Sequence, residues 1–287
     1  MIQFACLLGC LGCLIVCWIA GGSLVAPAYR DIGTPPPSLQ FKSTVLHSES
    51  GADIATWYSD RPDSVATVVL VHGLRGDRSK VLTRAERCLN AGLDVVLIDL
   101  QAHGQSSGEN ITIGYRERHD VTAAVDFARQ RRGDRRVGVI GVSLGGAATL
   151  LATPLKVDAM VLESVYSTIE EAVSNRLQGW LGTWGRGLTW VLLCQMRPRL
   201  GFSPSMLRPI DWISRVNCPV LLAIGSDDRR TTEAEARRMF AAAPEPKEFV
   251  VFPGAGHSDL LAHCPALYDT TVIPFLVRHL GAGMVVH

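Results

Sequence analysis

Eight short apolar runs recur along the chain, rich in Val, Ile and Leu and separated by polar, glycine-containing turns: 41–46, 54–58, 66–71, 94–100, 137–141, 159–162, 220–224 and 247–251. Runs of this length and composition, bounded by turn residues, read as strands. Between several of them lie stretches of helical period, at 78–91, 118–131, 144–152 and 233–242. Strands alternating with helices predict an α/β fold with a mostly parallel sheet covered by helices on both faces, antiparallel at its first two strands. Functional groups are then expected at the C-terminal ends of the strands.

The alternation breaks in two places. After the sixth strand, residues 165–216 form a long insertion carrying Trp180, Trp184, Trp190 and Trp212 among Leu, Gly and Pro. A helical cap with an apolar acyl or leaving-group pocket is one expectation. The commoner role of such aromatics is to pack an insertion against its domain, and a third possibility is contact with a bilayer. The second break is the N-terminus, where Phe4 to Ala28 contains no charged residue. About 20 apolar residues cross a bilayer as a helix, so a single transmembrane anchor is expected over 4–28. Met1-Ile2-Gln3 supplies no basic residue of the kind that opens a cleaved secretory signal. Cys6, Cys10, Cys13 and Cys17 share one face of that helix and are read as small packing residues. Pro35-Pro36-Pro37 reads as a stiff linker, which divides the chain into an anchor with linker, 1–37, and a catalytic domain, 38–287. Arg30 and Lys42 follow the apolar segment and no side-chain cation precedes it, which leans the domain to the cytoplasmic side of a membrane.

Candidate chemistry lies at the ends of the predicted strands. Gly141-Val142-Ser143-Leu144-Gly145, with Gly146 behind it, matches G-x-S-x-G between a strand and a helix-prone stretch. A serine on such an elbow sits at strained backbone angles, and flanking glycines let the chain turn and a substrate approach. Two later turns supply an acid and then a histidine, the chain order of this class of triad. They are Gly225-Ser226-Asp227-Asp228, after 220–224, and Gly256-His257, after 249–252. The acid can be Asp227 or Asp228. Upstream, strand 67–71 runs into His72-Gly73-Leu74-Arg75-Gly76, where an oxyanion-hole loop belongs.

From about Ser38 to Leu280 the chain resembles the α/β-hydrolase superfamily, nearest its dienelactone-hydrolase-like and serine-aminopeptidase-like bacterial members. VLIDLQAHGQSSG at 96–108 and CPVLLAIGSDDRRT at 218–231 resemble the strand-and-loop signatures of that group. The resemblance implies the α/β-hydrolase fold, with an eight-stranded sheet and a cap after strand six. It places the acid on Asp228, three residues after the glycine that ends its strand. Ser143 is then the nucleophile and His257 the base that takes its proton. Asp228 orients the imidazole, and the backbone N–H groups of Leu74 and Leu144 form the oxyanion hole, with His72, Gly73, Gly141 and Gly145 supporting the loops. The expected activity is cleavage of carboxylic esters or thioesters of small-molecule or lipid-like acyl substrates through an acyl-enzyme. Peptidase, aminopeptidase and acyltransferase activities on the same fold remain alternatives, as does a catalytically silent binding protein. A haloalkane-type dehalogenase is disfavoured, because its elbow carries an acidic nucleophile.

The remaining residues add little chemistry. His103 reads as a loop stabiliser, and Glu163 as either a buried carboxylate near the site or a surface one. His263 and Cys264 are too few for zinc, and no cofactor or metal is implied. A formal net charge of +1 over 287 residues offers no case for nucleic acid. Arg129, Arg131, Arg132, Arg135 and Arg136 read as a solvated surface. Cys88, Cys194, Cys218 and Cys264 form no disulfide framework. Nothing in the sequence names a protein partner.

Overall fold

The computed structural model describes residues 2–133 and 135–281, and within them every side chain except those of 2–11, 13, 14 and 132. The sheet contains β1 (Lys42–His47), β2 (Asp53–Tyr58), β3 (Ala66–Val71), β4 (Leu93–Ile98), β5 (Arg136–Val142), β6 (Ala159–Glu163), β7 (Val220–Gly225) and β8 (Lys247–Phe252). Their order across the sheet is β1-β2-β4-β3-β5-β6-β7-β8. β2 pairs antiparallel with both β1 and β4, and every other pairing is parallel. All six residues of β3 are buried, as expected of a parallel strand covered on both faces.

The helices in chain order are α1 (Ile2–Val25), α2 (Leu82–Asn90), α3 (Glu117–Arg132), α4 (Leu144–Leu151), α5 (Ile169–Leu181), α6 (Gly185–Leu193), α7 (Met196–Leu200), α8 (Ile210–Ile213), α9 (Glu233–Ala242), α10 (Leu260–His263) and α11 (Pro265–Leu280). One face of the sheet is closed by α2 and α11 through Ala85, Cys88, Tyr268, Val272 and Phe275. On the other, α3 and α4 contribute Val121, Val125, Leu144 and Ala148. The insertion between β6 and β7 folds into α5 to α8, whose Ile169, Leu193, Met196 and Ile213 join a third apolar cluster with α4 and α9.

The N-terminal segment is joined to this body. Ala28 and Tyr29 pair with His103 and Gly104, the Ile111 N–H donates to the Val25 carbonyl at 2.8 Å, and Ile32 and Leu39 pack on the core. The end of the expected anchor and the expected linker are therefore held against the domain. Among the described residues no helix is long and apolar enough to cross a membrane. Much of the expected span over 4–28, including Cys6, Cys10 and Cys13, falls on positions whose side chains lie outside the described set. The described arginines at the end of α3 and the start of β5 are bound at the surface. Arg129 meets Asp158, Arg131 meets Asp60, Arg135 donates to the Pro62 carbonyl, and Arg136 donates to that of His279.

Candidate active site

β5 ends at Val142, and α4 begins at Leu144, so Ser143 occupies the turn between them with φ +50°. Two glycines make that turn possible. A Cβ on Gly141 would stand 2.6 Å from the Gly146 Cα, and one on Gly145 would stand 2.5 Å from the Val71 carbonyl oxygen at the end of β3. The elbow is thus wedged between its own helix and the neighbouring strand. The Ser143 N–H donates to the Glu163 carbonyl at the end of β6 (2.8 Å), which ties the turn to the adjacent strand as well.

Ser143 Oγ lies 3.1 Å from His257 Nε2, and His257 Nδ1 lies 2.8 Å from Asp228 Oδ2. A proton on Nδ1 shared with the carboxylate leaves Nε2 as the acceptor facing the serine. Asp228 and His257 stand in the turns after the neighbouring strands β7 and β8, and Ser143 follows β5, one strand removed from β7 across β6, so all three groups gather at C-terminal strand ends. Burial pushes the Asp228 carboxyl up, yet its bonds with His257 and Thr231 outweigh that and hold it below its ordinary value. The carboxylate also accepts from the Arg230 and Thr231 N–H groups, at 2.9 and 3.0 Å, and from the Thr231 hydroxyl at 2.8 Å. Asp227, the other candidate, is exposed and accepts from the Ser226 hydroxyl. Thr231 was missed in the sequence; an Asp followed three residues later by Thr in a turn was its one local signal.

The His72 loop lies against the elbow. His72 is fully buried, and burial, with His103 beside it, lowers its pKa to about 3, so the ring is neutral. Its Nε2 accepts the Leu100 N–H at 3.1 Å, so Nδ1 carries the hydrogen and donates to the Gly73 carbonyl at 2.8 Å. In a trans peptide the N–H opposes the C=O. Fixing the Gly73 carbonyl toward His72 therefore turns the Leu74 N–H the other way. Leu74 lines both cavities that meet at Ser143 and Leu144 lines the apolar one, and Leu144 is the first residue of α4, where N–H groups have no partner in the helix. His103 Nδ1 bonds to the Gln101 carbonyl at 2.8 Å, in keeping with a loop role.

Glu163 proves to be a buried carboxylate. It holds Arg84 through Nε (3.1 Å) and a terminal nitrogen (2.6 Å), and accepts the Tyr268 hydroxyl at 2.7 Å. Arg84 also reaches Asp259 Oδ2 at 3.0 Å, two residues beyond His257. This network joins α2, β6, α11 and the histidine turn. Its partners lie 79 to 175 residues apart, so no local pattern announced it.

Two cavities meet at Ser143. One, of about 120 Å³, is apolar and runs under the cap between Ile169, Val173, Leu193, Met196 and Leu200. Its outer wall is the end of α1, through Gly21, Leu24 and Val25. Gln195 fixes that wall by donating to the Cys17 carbonyl at 3.1 Å, and Arg199 bonds to the Trp18 carbonyl and stacks on its ring at 3.6 Å. An apolar cavity thus lies under the insertion, but the insertion's tryptophans do not line it. Trp180, Trp184 and Trp190 are 70%, 85% and 69% exposed, and Trp212 packs against the cluster beneath the cap. The second cavity, of about 440 Å³, is polar and is lined by His257 and several cations.

The model of the alpha/beta hydrolase family matches residues 68–270. An uncharacterised Mycobacterium tuberculosis protein, Rv2307c, is 28% identical over 265 residues, covering 91% of this chain and 82% of that protein. The uncharacterised YqkD of Bacillus subtilis is 23% identical over 241 residues, covering 81% of this chain and 78% of its own. Among solved structures, the Pyrococcus furiosus esterase Pf2001 superposes with a TM-score of 0.71 at 21% identity, covering 90% of this chain and 99% of the esterase. An esterase from Exiguobacterium antarcticum has a TM-score of 0.60 at 16% identity, covering 82% and 99%. At these identities the structural likeness concerns the fold.

Proposed function

The chain belongs to the alpha/beta hydrolase family, and from that premise we propose that it is a membrane-anchored serine hydrolase that cleaves carboxylic ester or thioester bonds through an acyl-enzyme. The observation that carries this reading is the unbroken line from Ser143 through His257 to Asp228, at 3.1 and 2.8 Å. Ser143 Oγ attacks the carbonyl carbon as His257 Nε2 takes its proton, and the imidazolium is steadied by Asp228. The tetrahedral oxyanion rests on the Leu74 and Leu144 N–H groups, the first aimed by His72. His257 then passes the proton to the leaving group, and water, activated by the same histidine, releases the acid. A silent binding protein has no need to keep a buried carboxylate, an imidazole and a hydroxyl in this register.

The membrane part of the reading rests on different support. Phe4 to Ala28 carries no charge. Most of the large hydrophobic side chains exposed among the described residues lie on α1 (Ile15, Val16, Trp18, Ile19 and Leu24) or on the cap (Trp180, Leu181, Trp184, Leu188 and Trp190), and α1 packs against α6 of the cap. The cap stretch 177–203 contains Arg186, Arg197 and Arg199 but no acidic residue. Apolar and aromatic side chains with interspersed arginine are what a lipid interface holds.

Turnover of p-nitrophenyl esters by the full chain, lost in Ser143→Ala, tests the hydrolase. Leucine p-nitroanilide cleaved faster than the esters would favour the peptidase instead. Carbonate washing of membranes tests the anchor, which requires the protein to stay in the pellet; release into the supernatant contradicts it.

A further inference from the structure

His257 lines only one of the two cavities that meet at Ser143, the polar one. In acyl transfer the imidazolium must hand its proton to the departing oxygen, so the leaving group lies on the side that His257 faces. Resting on the hydrolase reading, this assigns the two arms. The acyl chain enters the apolar cavity walled by α1 and the cap, and the alcohol of the ester occupies the cationic one.

That second cavity has a definite charge. Arg75, Lys80, Arg84, Arg176 and Arg230 line it, against Asp259. Arg84 is neutralised by Glu163 and Asp259. Among the described residues none of the other four has a carboxylate within 4.0 Å. Arg75 donates to the Ser23 carbonyl and Arg176 to that of Ala172. Arg176 lines both cavities, at their junction. Burial and the nearby Arg230 disfavour its charge, and the partly shared Asp228 carboxylate supports it. Ser164 adds an independent sign. It lies on the cavity wall, is 4% exposed, has φ +50°, and its buried hydroxyl has no hydrogen-bond partner. Unpaired cations and an unsatisfied hydroxyl beside the position of the leaving oxygen form a receptor for an anion.

We propose that the substrate is an acyl ester whose alcohol carries an anionic group, phosphate being the chemistry that best fits several separated cations. The reaction breaks the bond between the acyl carbon and the ester oxygen. Ser143 Oγ takes the acyl group, the Ser143 proton passes through His257 to the ester oxygen, and the phosphate-bearing alcohol leaves with its phosphate intact. Water then returns the acyl group as the free acid.

The test compares 1-octanoylglycerol 3-phosphate with 1-octanoylglycerol on the full chain, with Lys80→Gln/Arg230→Gln as the variant, both positions being exposed. In parallel, calorimetry measures octyl phosphate against octyl glucoside on Ser143→Ala, which needs no turnover. Expected are a kcat/KM at least about tenfold higher for the phosphate ester, and a ratio that falls on the order of tenfold in the double variant, as two exposed ion pairs allow. The preference also shrinks as salt rises, and octyl phosphate binds where octyl glucoside does not. Equal or better turnover of the neutral ester, with both activities lost in Ser143→Ala, overturns the anionic substrate and leaves the hydrolase standing. If neither ester turns over, octyl phosphate binding that depends on Lys80 and Arg230 upholds the receptor and refutes the hydrolase. Failure of that binding too overturns both.

Discussion

His72 never touches the reacting atoms in this account, yet its removal is expected to cost catalysis and stability in separable ways. In His72→Ala the Gly73 carbonyl loses the donor that orients it, and the Leu100 N–H loses its acceptor. An orphaned buried N–H costs about 1–3 kcal/mol, so with about 2–4 °C per kcal/mol for a domain of this size, Tm falls by roughly 2–12 °C. Catalysis loses more, because the Leu74 N–H is no longer held toward the oxyanion. A lost oxyanion donor costs about 10²–10³ in kcat, and a donor set free to rotate should cost at least tenfold. The loss belongs to kcat, with KM little changed, since the donor acts chiefly in the transition state. Steady-state hydrolysis of p-nitrophenyl butyrate, measured well below the variant's Tm, reads this directly. The pH dependence supplies a second check. The folded pKa of about 3 lies below the unfolded 6.5, so the unfolded state takes up the proton first. The contribution of neutral His72 is full above pH 6.5 and is lost as pH falls toward 3. Between pH 8 and 5 the stability difference between wild type and His72→Ala should shrink by about 2 kcal/mol, 1.5 pH units at 1.36 kcal/mol each. A folded His72→Ala with kcat within threefold of wild type would refute the loop-aiming argument, and a pH-independent stability difference would refute the buried neutral ring.

Other expectations follow from single contacts. Asp228→Asn should lower kcat by up to about 10⁴, the cost of a misoriented triad histidine, while Asp227→Asn stays within a few-fold; the reverse ranking in the same ester assay moves the acid by one residue. Gly145→Ala drives a Cβ into the backbone of Val71 and His72, and overpacking of this kind costs about 1–3 kcal/mol. A variant matching wild type in both Tm and kcat would show the elbow to be looser than its contacts indicate. Asp120 is buried, its pKa raised by that burial to about 7, while it accepts from Ser48, Ser50 and the Gln101 N–H. Because its folded value exceeds the unfolded one, its contribution is most favourable at low pH and declines as pH rises from about 4 through about 7. Denaturant titrations of Asp120→Asn against wild type should show that trend removed; an unchanged pH profile would contradict it.

The parts of this molecule legible in its sequence are those encoded locally. Each strand is an apolar run, the elbow is a pentapeptide, and the proposed acid and base follow in turns that announce themselves by glycine. The choice between Asp227 and Asp228 needed the family resemblance before the structure, because adjacent aspartates share every local feature and differ only in which way each points. Glu163 was ambiguous for a related reason: its burial depends on Arg84 and the helix of Tyr268 arriving from elsewhere in the chain. The apolar cavity shows the limit most plainly. An apolar insertion allows such a cavity and equally allows simple packing, because Trp and Leu are alike apolar to a pattern, and only packing decides that Leu193 and Met196 face inward while Trp184 faces out. That α1 closes the same cavity depends on contacts of Cys17 and Trp18 with Gln195 and Arg199, some 180 residues away along the chain.

The central claim is that Ser143 is an activated nucleophile, and labelling by a fluorophosphonate tests it most directly. Wild type and Ser143→Ala, both shown to be folded, would be treated with the probe and digested, and the modified peptide located by mass spectrometry. The account predicts one adduct, on Ser143, absent from Ser143→Ala and much slowed in Asp228→Asn. A folded wild type that takes no label, or takes it on another residue, would contradict it.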